Sequence, residues 1–247
     1  MSQKEIIKNC KTLLLAYKEW KLWYMKMPED SNPWFTKIQK EQCFAYFTLP
    51  MALNYQRNSY TLRESAIQTY QDQQTKDVFD MQISSKMTEE ELRKKLLKYK
   101  LALQSNKHIK TRKTIATTIA HNWWSIEGLL DFVDNDFLKL KKLIQKDYKQ
   151  GFPYLSWPKI FNYRSFIIQE YWNINLKNSE YIDIAPDTHV TKCSVKLWII
   201  TEREAERLTK DEISQRWREL LQWSGITPID MHSPLWFRSR NNFMFKV

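Results

Sequence analysis

Lys159 and Asp187 are the two residues in this chain whose side chains could share chemistry. Lys159 ends the run Leu155-Ser156-Trp157-Pro158-Lys159, and Asp187 follows Pro186 to open Asp187-Thr188-His189-Val190. A lysine amine is a nucleophile that attacks an electrophilic carbon and holds it as a Schiff base. A carboxylate beside it stabilises positive charge developing at that carbon. Where the carbon is the anomeric centre of a sugar, the attack expels the group the sugar carries. Each residue also has a plainer role. Asp187, after a proline and before Thr188, reads as a helix N-cap, and Lys159 is one lysine among many.

Elements with helical periodicity must position the pair. Ile6, Leu13, Leu14, Tyr17 and Trp20 recur at spacings near three and four, as do Leu92, Leu96, Leu97 and Tyr99. Thr88 with Glu91, Thr201 with Glu204, and Thr209 with Glu212 each set a hydroxyl three residues before a carboxylate, the pattern of a capping box. The pattern predicts a mainly α fold, with helices near 3–25, 37–54, 60–74, 88–104, 108–123, 125–133, 136–149, 159–172, 187–198, 201–207, 209–223 and 230–241. Between Lys159 and Asp187 the polar stretch 173–186 ends in proline and reads as an extended connection.

Thirty-nine Lys and Arg against 28 Asp and Glu give a formal charge of +11 over 247 residues, a balance that favours phosphate polymers as partners. Cys10, Cys43 and Cys193 lie too far apart for a disulfide framework and are expected to be reduced thiols. His108, His121, His189 and His232 show no i, i+4 pair and no cysteine at ligand spacing, so no metal site is expected. No apolar run approaches a membrane span, and Met1-Ser2-Gln3-Lys4-Glu5 lacks the apolar core of a signal peptide. The expected setting is cytoplasmic, without a membrane.

The two phrases resemble the helix-hairpin-helix DNA glycosylase superfamily that includes endonuclease III, in which a hairpin of the form Leu-x-Gly-x-Lys opens one helix and Asp-Thr-His-Val another. Asp230 through Arg240 is similar to the segment leading into the iron–sulfur loop of endonuclease III, but Phe243 stands where the first cluster cysteine would be, so no cluster and no cofactor is expected. Gly225-Ile226-Thr227-Pro228 followed by Leu235-Trp236 is closer to the archaeal-type 8-oxoguanine glycosylase branch.

The resemblance implies two helical subdomains flanking a cleft, with a helix-hairpin-helix motif. Residues 43–160 would form a central subdomain ending in the hairpin, and 1–42 plus 161–247 the second. It further implies a monomeric DNA base-excision repair enzyme, a glycosylase with AP-lyase activity on damaged double-stranded DNA. Lys159 would be the nucleophile, and Asp187 the carboxylate that stabilises the sugar cation and helps deprotonate the amine. Tyr163 and Trp236 would sandwich the extruded base, with His189 beside them, and Gln56 would fill the space it leaves. Leu155, Ser156, Trp157 and Pro158 would present backbone to a phosphate, where a helix start favours an anion. Lys107, Lys110, Arg112 and Lys113 would form a basic rim.

One departure runs through the chain. It holds three glycines, where average usage predicts roughly 17. Trp157 occupies the hairpin position of a glycine, and Trp172 and Trp198 stand where a helix-ending or close-packing glycine is expected. A gene in which UGA means glycine, translated with UGA as tryptophan, would produce this exchange. Two other functions fit the sequence: a catalytically silent helical nucleic-acid-binding protein, and a glycosylase for oxidised pyrimidines.

Overall fold

Hydroxyl–carboxylate caps start the helices as their spacing predicts. In the computed structural model, which describes residues 1–22, 26–36, 39–54, 57–172 and 174–247, the Thr88, Thr201 and Thr209 amides donate to Glu91, Glu204 and Glu212 at 2.7, 2.8 and 2.7 Å. Ser2 and Glu5 form a further box that opens the first helix. The described residues build α1 (Gln3–Lys18), α2 (Lys40–Leu53), α3 (Ser59–Gln71), α4 (Met81–Lys86), α5 (Glu89–Lys98), α6 (Lys107–Trp123), α7 (Ile126–Phe132), α8 (Phe137–Lys142), α9 (Pro158–Trp172), α10 (Thr188–Lys196), α11 (Glu202–Arg207), α12 (Lys210–Leu221) and α13 (His232–Arg240). No strand occurs among them, only an isolated bridge between Asp136 and Lys177, so the protein is mainly α. None of these helices is long and apolar enough to cross a membrane.

Some helices end earlier than periodicity suggests. The first stops at Lys18 rather than near 25, because Trp20 turns left-handed. The expected 88–104 helix stops at Lys98, with Lys100 left-handed behind it. The 136–149 stretch breaks after α8 into a π-turn over Leu143–Asp147. The short α4 escaped periodicity because six residues give too little repeat to detect.

Two compact units divide the chain: Met27–Lys177, and Met1–Lys26 together with Asn178–Val247. Within the first, every residue of α2 from Cys43 to Leu53 is buried. A helix apolar on all sides is a central element, and α3, α6, α7 and α9 pack around it. In the second unit α10 lies against α13, and α1 packs on α13 and α12. The three thiols are buried, Cys43 in the first unit and Cys10 and Cys193 in the second, and burial pushes each up to about 12.

His108 closes the turn before α6. Its ring is fully buried, and Nδ1 accepts the Leu103 amide at 3.1 Å, which requires a neutral ring. Burial, reinforced by the Arg57 guanidinium, holds its pKa below the ordinary histidine value. A histidine neutral when folded but protonated once unfolded contributes stability that is complete above about pH 6.5 and declines as pH falls from there toward the lowered folded value. Melting temperature should therefore drop between pH 7.5 and pH 5, and drop less in His108→Asn. Parallel curves for the two proteins would contradict this assignment.

Candidate active site

In the Met27–Lys177 unit, a tight turn delivers Lys159 to the start of α9. Tyr154 adopts a left-handed φ of 63°. The amides of Leu155, Ser156 and Trp157 then donate to Pro153, Phe152 and Tyr154 carbonyls at 2.8, 2.9 and 3.0 Å. Pro158 takes the first helical position, where its missing N–H costs nothing, and Phe161 makes the first helical bond, to the Trp157 carbonyl at 2.9 Å. Lys159 is exposed. It lines a cavity of about 240 Å³ together with Glu29, Asn54, Arg63, Trp157 and Tyr163.

A buried ion pair forms part of this wall. Arg63 Nη2 donates to Glu29 Oε1 at 2.9 Å, with both side chains almost wholly out of solvent, and the guanidinium lies 5.3 Å over the Phe47 ring. Glu29 Oε2 and Arg63 Nη1 are buried and make no hydrogen bond within the described structure. The Tyr163 hydroxyl engages Glu29, and burial with the nearby carboxylate raises its pKa well above the ordinary phenol value. Tyr163 therefore stays a hydrogen-bond donor. The cavity thus brings together an amine and an aromatic ring, with the buried Arg63–Glu29 pair in its wall.

The other unit gathers a second group of the predicted residues. Asp187 is the N-cap of α10, its Oδ1 accepting the Val190 amide at 2.8 Å. His189, on the first turn, sets Nδ1 3.0 Å from Ser239 Oγ and packs edge-on against Trp236, with ring centroids 5.8 Å apart. Burial lowers the His189 pKa; Asp187 opposes this, while Arg240 and Lys192 add to it. Trp236 is buried, and the Arg240 guanidinium lies 5.4 Å over its ring. A base can stack on that face only if Arg240 moves aside.

Several expected DNA contacts need correction. Arg112 is no part of a rim: it is buried, donating to Ser84 Oγ at 2.7 Å and to the Asp80 carbonyl at 3.3 Å, and burial lowers its pKa to about 10. Lys113 is half-buried and spends its ammonium on the Ser85 and Met87 carbonyls, closing the end of α4. Leu155 and Ser156 are buried, and with Trp157 their amides are consumed within the turn, so among the hairpin residues only the Lys159 and Ile160 amides remain without an acceptor in the described structure. Pro158 and Trp157 are exposed, as are Lys107 and Lys110. Gln56 lies outside the described residues.

Glu29 and Arg63 escaped sequence reasoning. Charged residues are almost never fully buried unless paired, and a pair formed across two helical segments leaves no local spacing to detect. Pro28 and Asp30, which close a single 3-10 turn around Glu29, were the only local signal of order there. No family model, no curated protein and no solved structure matches the chain.

Proposed function

We propose that the protein is a DNA base-excision repair glycosylase with AP-lyase activity, acting on an oxidised base, 8-oxoguanine first among them. The observation that carries this reading is Lys159 on the wall of a small cavity lined by polar, aromatic and aliphatic side chains. At about 240 Å³ the cavity falls below the roughly 300–1,000 Å³ of sites for drug-sized ligands, which suits one flat ring rather than an extended molecule. An enzyme acting on a base must take it out of the stack, and an aromatic side chain returns part of that cost. In this reading Tyr163, which lines the cavity, is that side chain.

In this reading unprotonated Lys159 Nζ attacks C1′ of the damaged nucleotide. The bond from C1′ to the base breaks and the base leaves with the electron pair and takes up a proton; the C1′–O4′ bond then opens, O4′ taking up a proton, so that an iminium links enzyme and ring-opened sugar. Loss of a C2′ proton then expels the 3′ phosphate by β-elimination. Asp187 stabilises the sugar cation and accepts the amine's proton. The proposal carries with it two helical subdomains flanking a cleft, a helix-hairpin-helix at 155–159, and a monomer bound to duplex DNA.

Incubation with a duplex containing 8-oxoguanine in the presence of borohydride should give a covalent protein–DNA adduct and a nicked strand. Nicking without an adduct, or neither product across a panel of oxidised purines and pyrimidines, would overturn the proposal. Asp187→Asn should keep the helix cap, since Asn and Asp cap equally well, while slowing base release by roughly 10²–10³-fold, the usual cost of losing one transition-state electrostatic contact. Salt-dependent DNA binding without base release, indifferent to Asp187→Asn, would instead identify a silent nucleic-acid-binding protein.

A further inference from the structure

Ten of the chain's tryptophans lie among the described residues, and five of them carry a left-handed backbone: Trp20, Trp34, Trp124, Trp198 and Trp223, with φ of 62, 51, 68, 61 and 67°. A non-glycine residue shows positive φ in only a few per cent of cases, with Asn, Asp and His enriched. Half of one bulky residue type in that region is a demand of the backbone.

Local geometry at four of the five shows what the backbone asks for. After α1, the Trp20 amide donates to the Tyr17 carbonyl at 3.0 Å and the Lys21 amide to Ala16 at 2.8 Å. After α10, Trp198 donates to Val195 at 3.0 Å and Ile199 to Ser194 at 2.9 Å. Both are Schellman motifs with tryptophan at the position glycine normally takes. Gln222 at φ −53° and ψ 127° precedes left-handed Trp223, and Ser224 donates to the Leu221 carbonyl at 2.9 Å. That is a type II turn, whose third residue requires positive φ and hence glycine. At Trp124, φ 68° and ψ −43° with Ser125 bonded to the Trp123 carbonyl at 2.7 Å make the rare, strained form of the γ-turn.

The side chains separate in the same way. The five left-handed rings are 68 to 94 % exposed, whereas Trp123, Trp217 and Trp236 are at most 9 % exposed. Trp217 also donates its indole N–H to Ser194 at 2.9 Å. Exposed tryptophans alone would suggest an aromatic docking surface, but a ring recruited for binding has no reason to require positive φ.

We propose that positions 20, 34, 124, 198 and 223 are glycine in the protein its own cells make, through UGA codons that those cells read as glycine. One base separates UGA from the glycine codon GGA. Trp198 was already out of place by sequence. Trp157 and Trp172 have ordinary backbone, Trp172 packing edge-on against Phe44 at 6.1 Å, so the backbone does not assign them. The inference is independent of the repair reading.

The gene should show UGA at all five codons, and peptide mass spectrometry of the protein from its own cells should read glycine there. UGG at any of the five, or tryptophan in those peptides, would overturn the claim for the set. The fivefold Trp→Gly protein should melt above both the chain as written and the fivefold Trp→Ala protein, because alanine removes the rings but keeps the Cβ that opposes left-handed backbone. Equal melting temperatures for the Gly and Ala sets would refute the backbone argument.

Discussion

Lys159→Ala is expected to abolish borohydride trapping completely while leaving the melting temperature nearly unchanged. The side chain is exposed, and surface substitutions away from special features usually shift stability by no more than about 0.5 kcal/mol. Only the covalent step should be lost. Lys159→Arg sharpens the test: the guanidinium keeps the charge toward a phosphate but cannot be deprotonated in a protein, so it cannot form the Schiff base. Retained binding with no adduct in both variants would assign the amine. Persistent adduct in Lys159→Ala would move the nucleophile to another residue.

Glu29→Gln is expected to cost about 3–5 kcal/mol, the usual penalty when a buried ion pair loses one partner and strands the other charge. Against a typical domain stability of about 5–15 kcal/mol, that is enough to unfold much of a marginal protein at 37 °C. Arg63, held between the Glu29 carboxylate and the Phe47 face, would be left with a buried charge and no countercharge. A double substitution, Glu29→Leu with Arg63→Met, should recover most of the loss, because replacing a buried pair by apolar groups is often neutral or stabilising. Denaturant titration of the three variants measures this. A cost below about 1 kcal/mol for Glu29→Gln would mean that water reaches the pair as it does at a surface.

Helix starts were legible because a cap is local: Thr88, Thr201 and Thr209 reach only three residues ahead. Helix ends were less so, since the glycines that ordinarily signal them were missing, and Trp20 read as continuing apolar periodicity. Asp187 was legible as a cap for the same reason Thr88 was. Tyr163 could be tied to Lys159 because four residues along α9 bring two side chains to one face. Arg112 was misread because charge alone does not report direction: at its place on α6 the side chain points inward to Asp80 and Ser84, while Lys107 and Lys110 on the same helix point out. The cavity wall also rests on Glu29 and Arg63, whose meeting is tertiary and leaves no trace in local spacing.

The three sequestered sulfurs make the chain its own unfolding probe. A thiol held near pKa 12 in an apolar interior presents almost no thiolate at neutral pH, and it is the thiolate that reacts. Alkylation by a maleimide therefore reports opening. Cys43 labels when the Met27–Lys177 unit loosens, and Cys10 and Cys193 when the other does. Peptide mapping of the modified sites would time the two events separately within one sample, with no engineered label.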